Sequence, residues 1–169
     1  MKPFFLLLLL PIFSYSQKIR VNEIDKFTKQ RRIETTVAVA KMAIGCNVGF
    51  YYRSVDTTLF INVTGSGCAV GVIGTDDPFI FLLDNDSTVT VYSKGIQDYK
   101  ISYDNTLGTS KYYTHEYYIK KSDIEKLAVH KLVSVRAYIN QVYSDIDLKG
   151  KRQDDLMELS AIFLKEIKK

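Results

Sequence analysis

The sequence predicts an α+β fold: an antiparallel β-sheet meander with a short helix and a C-terminal amphipathic helix packed on one face. Three observations carry that expectation. Apolar residues alternate with period two through most of residues 19–119, as half-buried strands require. The period then lengthens, and Leu156, Leu159, Ile162, Phe163 and Ile167 form one helical stripe. Finally, 169 residues that are 46% hydrophobic and 25% charged, with 3 prolines and 9 glycines, suit one folded domain and exclude a disordered or low-complexity chain.

Taken in order, Ile19 and Val21 open an alternation that runs into a polar turn at Asp25–Arg32. Val37 and Val39 alternate with alanines until Gly45 interrupts. Val48, Phe50 and Tyr52 then share one strand face, with Gly49, Tyr51 and Arg53 on the other. A turn near Val55-Asp56 leads to a partner strand whose Leu59, Ile61 and Val63 line one face. After the small-residue segment 65–74, the continuous run Phe79–Leu83 predicts a strand buried on both faces. Asp84-Asn85-Asp86 turns the chain into a strand over Thr88–Tyr92, with Val89 and Val91 inward. Residues 93–110 are expected to hold a loop and one strand near Tyr99–Tyr103.

In the C-terminal third, Ser122-Asp123-Ile124-Glu125 has the spacing of a capping box, and Ile124, Leu127 and Ala128 follow on one helical face. Val133, Val135, Ala137 and Ile139 alternate with outward Ser134, Arg136 and Tyr138, and Val142, Ile146 and Leu148 suggest a hairpin partner. The terminal helix begins near Gln153. Asp154 and Asp155 at its start and Lys165, Lys168 and Lys169 at its end complement the helix dipole.

At the N-terminus, Met1-Lys2 is a short positive start, Pro3–Phe13 an apolar run with five consecutive leucines, and Ser14-Tyr15-Ser16 a small-residue cleavage site. That order predicts a signal peptide over residues 1–16 and an exported domain over 17–169, in the periplasm or outside the cell. An apolar run this short falls below the ~20 residues that span a bilayer, so no transmembrane anchor is expected after cleavage. The formal charge of +4 comes from 23 basic and 19 acidic residues; that balance lacks a nucleic-acid footprint.

Candidate sites are few. A hairpin centred near residues 55–57 brings Cys46 opposite residues 64–68, and export favours oxidation, so a Cys46–Cys68 disulfide is expected. Neither His115 nor His130 is spaced to activate a cysteine. Glycines at 65, 67, 71 and 74 depart from GxGxxG, and no Gly-Lys-Ser/Thr follows. Ser66 lacks the flanks of a nucleophile elbow. Asp84–Thr88 resembles the start of a calcium loop, but Val89 stands where glycine is needed and Gly95 where glutamate is. A turn accounts for it. No catalytic residue, metal or cofactor is therefore assigned. The tyrosines are more suggestive: all but Tyr15 of the 12 follow the cleavage point, and four lie in Tyr112–Tyr118. On a strand Tyr113, His115 and Tyr117 share a face, offering flat apolar rings with polar tips as a possible binding surface.

The stretch Val21-Asn22-Glu23-Ile24-Asp25-Lys26-Phe27-Thr28 and the apolar run before Asp84 resemble a type of small, uncharacterised secreted protein known from Gram-negative bacteria. That resemblance implies export and α+β architecture, and it carries no functional residue. The leading expectation is a non-enzymatic module that binds a protein or envelope component. Alternatives are a carrier of a small apolar ligand inside a curled sheet, or a hydrolase with a cleft around His115 and Glu116.

Overall fold

The computed structural model describes residues 18–43, 46–66, 72–98, 100–104, 108–139 and 142–169. The expected signal peptide and Cys68 lie outside the described residues. Within them, strands β1 (Ile19–Ile24), β2 (Arg31–Thr35), β3 (Ala38–Ala43), β4 (Cys46–Val55), β5 (Thr58–Ser66), β6 (Pro78–Leu83), β7 (Thr88–Ser93), β8 (Lys100–Asp104) and β9 (Gly108–Tyr118) precede helix α1 (Lys121–Leu127). Strands β10 (Leu132–Ile139) and β11 (Val142–Asp147) and helix α2 (Arg152–Ile167) complete the chain, an α+β arrangement as expected.

All strand pairs are antiparallel, in the order β1-β2-β4-β5-β9-β7-β6-β10-β11. The chain meanders through β1, β2, β4 and β5, then inserts the β6–β7 hairpin between β9 and β10. Turns use Asp56 (φ 51°) and Asp86 (φ 62°) at positive φ, a conformation that aspartate tolerates better than most residues.

Two side chains bridge interruptions in the ladder. β2 and β3 pair with successive parts of β4, and at the break Thr35 Oγ1 accepts the Tyr52 amide at 2.9 Å. β7 and β8 pair with opposite ends of β9. Between them the Gln97 amide accepts from Glu116 N at 2.7 Å and donates to Glu116 O at 2.8 Å. Gln97 thus takes the place of a strand neighbour, keeping those backbone groups satisfied.

The sheet curls. Four strand spacings of ~4.8 Å separate β4 from β6 along the order, yet Phe50 meets Phe79 and Phe81 with ring centroids 5.8 and 5.5 Å apart. Helix α2 packs against β2, β3, β4, β10 and α1, filling the open side of the curl. Tyr52 of β4 stacks on Phe163 at 4.9 Å, and its hydroxyl lies 2.7 Å from Ser160 Oγ. Leu156, Leu159, Ser160, Phe163 and Leu164 are the buried residues of α2.

Several local expectations are corrected. Ala38 and Ala40, rather than Val37 and Val39, face the core; α2 packs on β3 there, where small side chains allow close approach. The β10–β6 register shifts between Leu132 and Ser134, so Leu132 is buried in place of Val133. The run in β6 is buried on one face, with Ile80 and Leu82 half-buried on the other. Nothing among the described residues covers that second face fully. Helix α1 starts one residue before Ser122, with Lys120 at the N-cap and no side-chain cap, so the capping box does not form.

Candidate functional site

Alternation sorts the β9 side chains onto two faces. Tyr113, His115 and Tyr117 are 2%, 1% and 1% exposed. They share a face, but it is the inner one, and the expectation of a binding surface at these residues is corrected. Their rings fill the space between the curled walls. Tyr113 and His115 stack with centroids 4.8 Å apart and planes at 22°, and Tyr117 packs on Phe79 at 5.6 Å. Burial lowers the His115 pKa to about 4, against a smaller opposing pull from Asp98. Burial also raises Tyr113 to about 12 and shifts Tyr117 upward. The cavity bordered by Val48, Val63, Ile73, Phe79 and these three residues has a volume of about 10 Å³, room for one water molecule.

Glu116 belongs to the opposite face, so no cleft gathers it with His115. On that outer face the strand registers align Glu34, Arg53, Phe60, Tyr118 and Tyr92 in one row across five strands. Glu34 is buried, bonded to Arg20 and Arg32, with Arg53 Nε 3.7 Å away. Burial pushes its pKa up, but the hydrogen bonds and charges of Arg32 and Arg20 outweigh that and hold it below the usual value. Arg53 and Lys94 each reach Glu116 at 2.9 Å. This end of the face is an ion-pair lattice in which each carboxylate is engaged by more than one cation.

Beyond the lattice the face becomes aromatic. Tyr92 and Tyr118 are paired across β7 and β9 and are 55% and 50% exposed. They border a groove of about 320 Å³ that also touches Thr58, Leu59, Thr90, Lys120 and Asp123. Thr90 belongs as well to a neighbouring groove of about 360 Å³, where Ile80 and Leu82 meet Thr88, Ser134, Arg136 and Asp145. There Arg136 and Asp145 form a two-bond pair at 2.6 and 2.7 Å, and the guanidinium lies 4.2 Å from the Tyr143 ring centroid. Each groove thus carries one cation and one carboxylate. Exposed phenol rings, hydroxyls and a balanced charge can hold a neutral, hydroxyl-rich ligand.

The remaining expected positions do not converge on these grooves. His130 lies 3.1 Å from Asp84 Oδ1 and 3.1 Å from Asn85 Nδ2, tying the β6–β7 turn to the segment before β10. Ser87 Oγ donates to Asn85 Oδ1 at 2.6 Å rather than to the imidazole, so no activated serine results. No group of three or more metal-ligating side chains occurs among the described residues. Asn47 pairs with Ser66 in the β4–β5 register; the thiols themselves are not described.

Sequence reasoning missed Tyr92, Tyr118 and Thr90 as a group. Outward positions alternating with Val89 and Val91 were legible, but the β7–β9 pairing was not. Comparison with protein-family models, curated proteins and solved structures found no match.

Proposed function

We propose that this is an exported, non-enzymatic binding module that holds an envelope component in the outer-face grooves. The carrying observation is the pair Tyr92 and Tyr118, side by side and half exposed beside a groove with threonine hydroxyls and balanced charge. Strands β9, β6 and β10 are internal to the sheet order, whereas β7 pairs with β9 only at Tyr92 and Ser93, so its Thr88–Val91 edge has no strand partner on the groove side among the described residues. The exposed rings and hydroxyls beside this edge favour a neutral saccharide surface. Export rests on the order of charges, leucines and small residues in 1–16.

The alternatives draw less support. A carrier of an apolar ligand needs a cavity of ~300 Å³ or more, whereas the interior cavity at Tyr113 and His115 measures about 10 Å³. A hydrolase centred on His115 and Glu116 needs both on one face, and they lie on opposite ones.

A titration of ¹⁵N-labelled protein (residues 17–169) with maltohexaose, cellohexaose and chitohexaose tests the reading. Shifts confined to Thr58, Thr90, Tyr92 and Tyr118, weakened at least about tenfold by Tyr92→Ala or Tyr118→Ala, are expected. Absence of shifts with all three sugars, or their cleavage, would overturn it. The Cys46–Cys68 disulfide belongs to the same proposal, since an exported hairpin gains from a clamp at its open end. It predicts no alkylation of the unfolded, unreduced protein and double alkylation after reduction.

A further inference from the structure

Among the described residues, the interior of the curl holds two polar atoms without hydrogen-bond partners: Tyr113 Oη and His115 Nε2. Both belong to side chains at least 98% buried, and both side chains line the same small cavity. A buried hydroxyl or imidazole nitrogen without a hydrogen bond is costly, and native structures rarely keep two together. Of the other described side chains around the cavity, Val48, Val63, Ile73, Phe79, Ala137 and Ile146 are apolar and offer no partner, and Tyr117 is the remaining one with a polar atom.

The two residues are held where they are by their neighbours. Tyr113 pairs with Gly65 across β5 and β9, and its hydroxyl lies 2.7 Å from where a Cβ on Gly65 would stand. The missing side chain is what admits the phenol tip. His115 is stacked against the Tyr113 ring and pairs with Val63, so neither group can swing to solvent without opening the sheet.

We infer that the cavity is a binding site for a single water molecule, held between Tyr113 Oη and His115 Nε2. A water molecule needs about 10–15 Å³ of accessible volume and two to four polar partners; the cavity supplies about 10 Å³ and two. Its size excludes organic ligands, and its two polar atoms distinguish it from the dry apolar cavities that stay empty. The phenol donates to the water oxygen, and the water donates to the neutral imidazole nitrogen, giving both protein atoms a partner. This inference is independent of the outer-face grooves.

Oxygen-17 relaxation dispersion of water tests it, because labile protein hydrogens do not contribute to the signal. The expected result is a component from one long-lived water in the wild-type protein that is lost in Tyr113→Phe. Circular dichroism of the variant checks that it has folded. Equal dispersion in wild type and folded variant would overturn the assignment. If the variant does not fold, a high-resolution crystal structure of the wild-type protein decides. Density for one water within hydrogen-bond reach of both atoms supports the site, and an empty cavity refutes it.

Discussion

Acidification should destabilise this protein through His115 before its carboxylates respond. The side chain is 1% exposed, and its pKa falls from 6.5 to about 4, chiefly through burial. Unfolding restores the ordinary value, so between pH 6.5 and 4 the unfolded chain binds a proton that the folded chain refuses. Stability from this group is therefore fully present above about pH 6.5, declines as pH falls, and levels off below about 4. A tenfold change in a proton's affinity between the two states is worth about 1.4 kcal/mol. The full effect therefore approaches about 3 kcal/mol, of which roughly 1 is lost by pH 5.5. Glu34, Asp145 and Glu166 have lowered pKa values, so their stabilisation is lost at lower pH, while burial raises Asp155, which gains stability on acidification. The loss in the upper part of the window is left to histidine. Urea unfolding at pH 7.5, 6.5, 5.5 and 4.5 measures the slope. His115→Phe, which keeps a ring against Tyr113, should remove most of the slope between pH 7.5 and 5.5, with His115→Asn as a second variant. Equal losses in wild type and both variants over that interval would refute the reasoning.

Three further outcomes follow from the packing. Ser160 donates to Leu156 O at 2.7 Å, so Tyr52 is the donor in their bond. Ser160→Ala strands a buried phenol proton and should cost about 1–2 kcal/mol by urea unfolding, more than Tyr52→Phe at about 1. The double variant should cost no more than Ser160→Ala alone. A Cβ at Gly65 would stand 2.2 Å from Asn47 O, so Gly65→Ala should lower stability by about 2–3 kcal/mol, measurable as a reduced melting temperature. Gly95→Ala, with nothing within 4 Å, should be near neutral. Glu34→Gln leaves Arg20, Arg32 and Arg53 facing one another around an uncharged amide. At neutral pH it should cost about 2 kcal/mol, a difference that shrinks in high salt and can be followed by thermal melts with and without 1 M sodium chloride.

Much of the fold was legible because periodicity reports which side chains seek the core. The inward faces of β4 and β7 and the start of α2 are where alternation and dipole complementarity place them. Periodicity fails where backbone irregularity changes the phase: the shift between Leu132 and Ser134 exchanges Val133 for Leu132, and α2 over β3 selects alanines over the more apolar valines. It also cannot tell a residue that faces the core from one that faces a partner. Tyr113, His115 and Tyr117 share a face in any strand, but only the curl decides that this face is inside.

The amino-acid order by itself determined the α+β class, most strand and helix positions, and the expectation of export, because these depend on local spacing of apolar, charged and turn-forming residues. Tertiary structure alone decided that β9 lies between β5 and β7 and that the sheet curls around α2. From that follow the union of Tyr92 with Tyr118 outside and of Tyr113 with His115 inside. Strand pairing joins residues far apart in the chain, and no local pattern specifies which strands will meet.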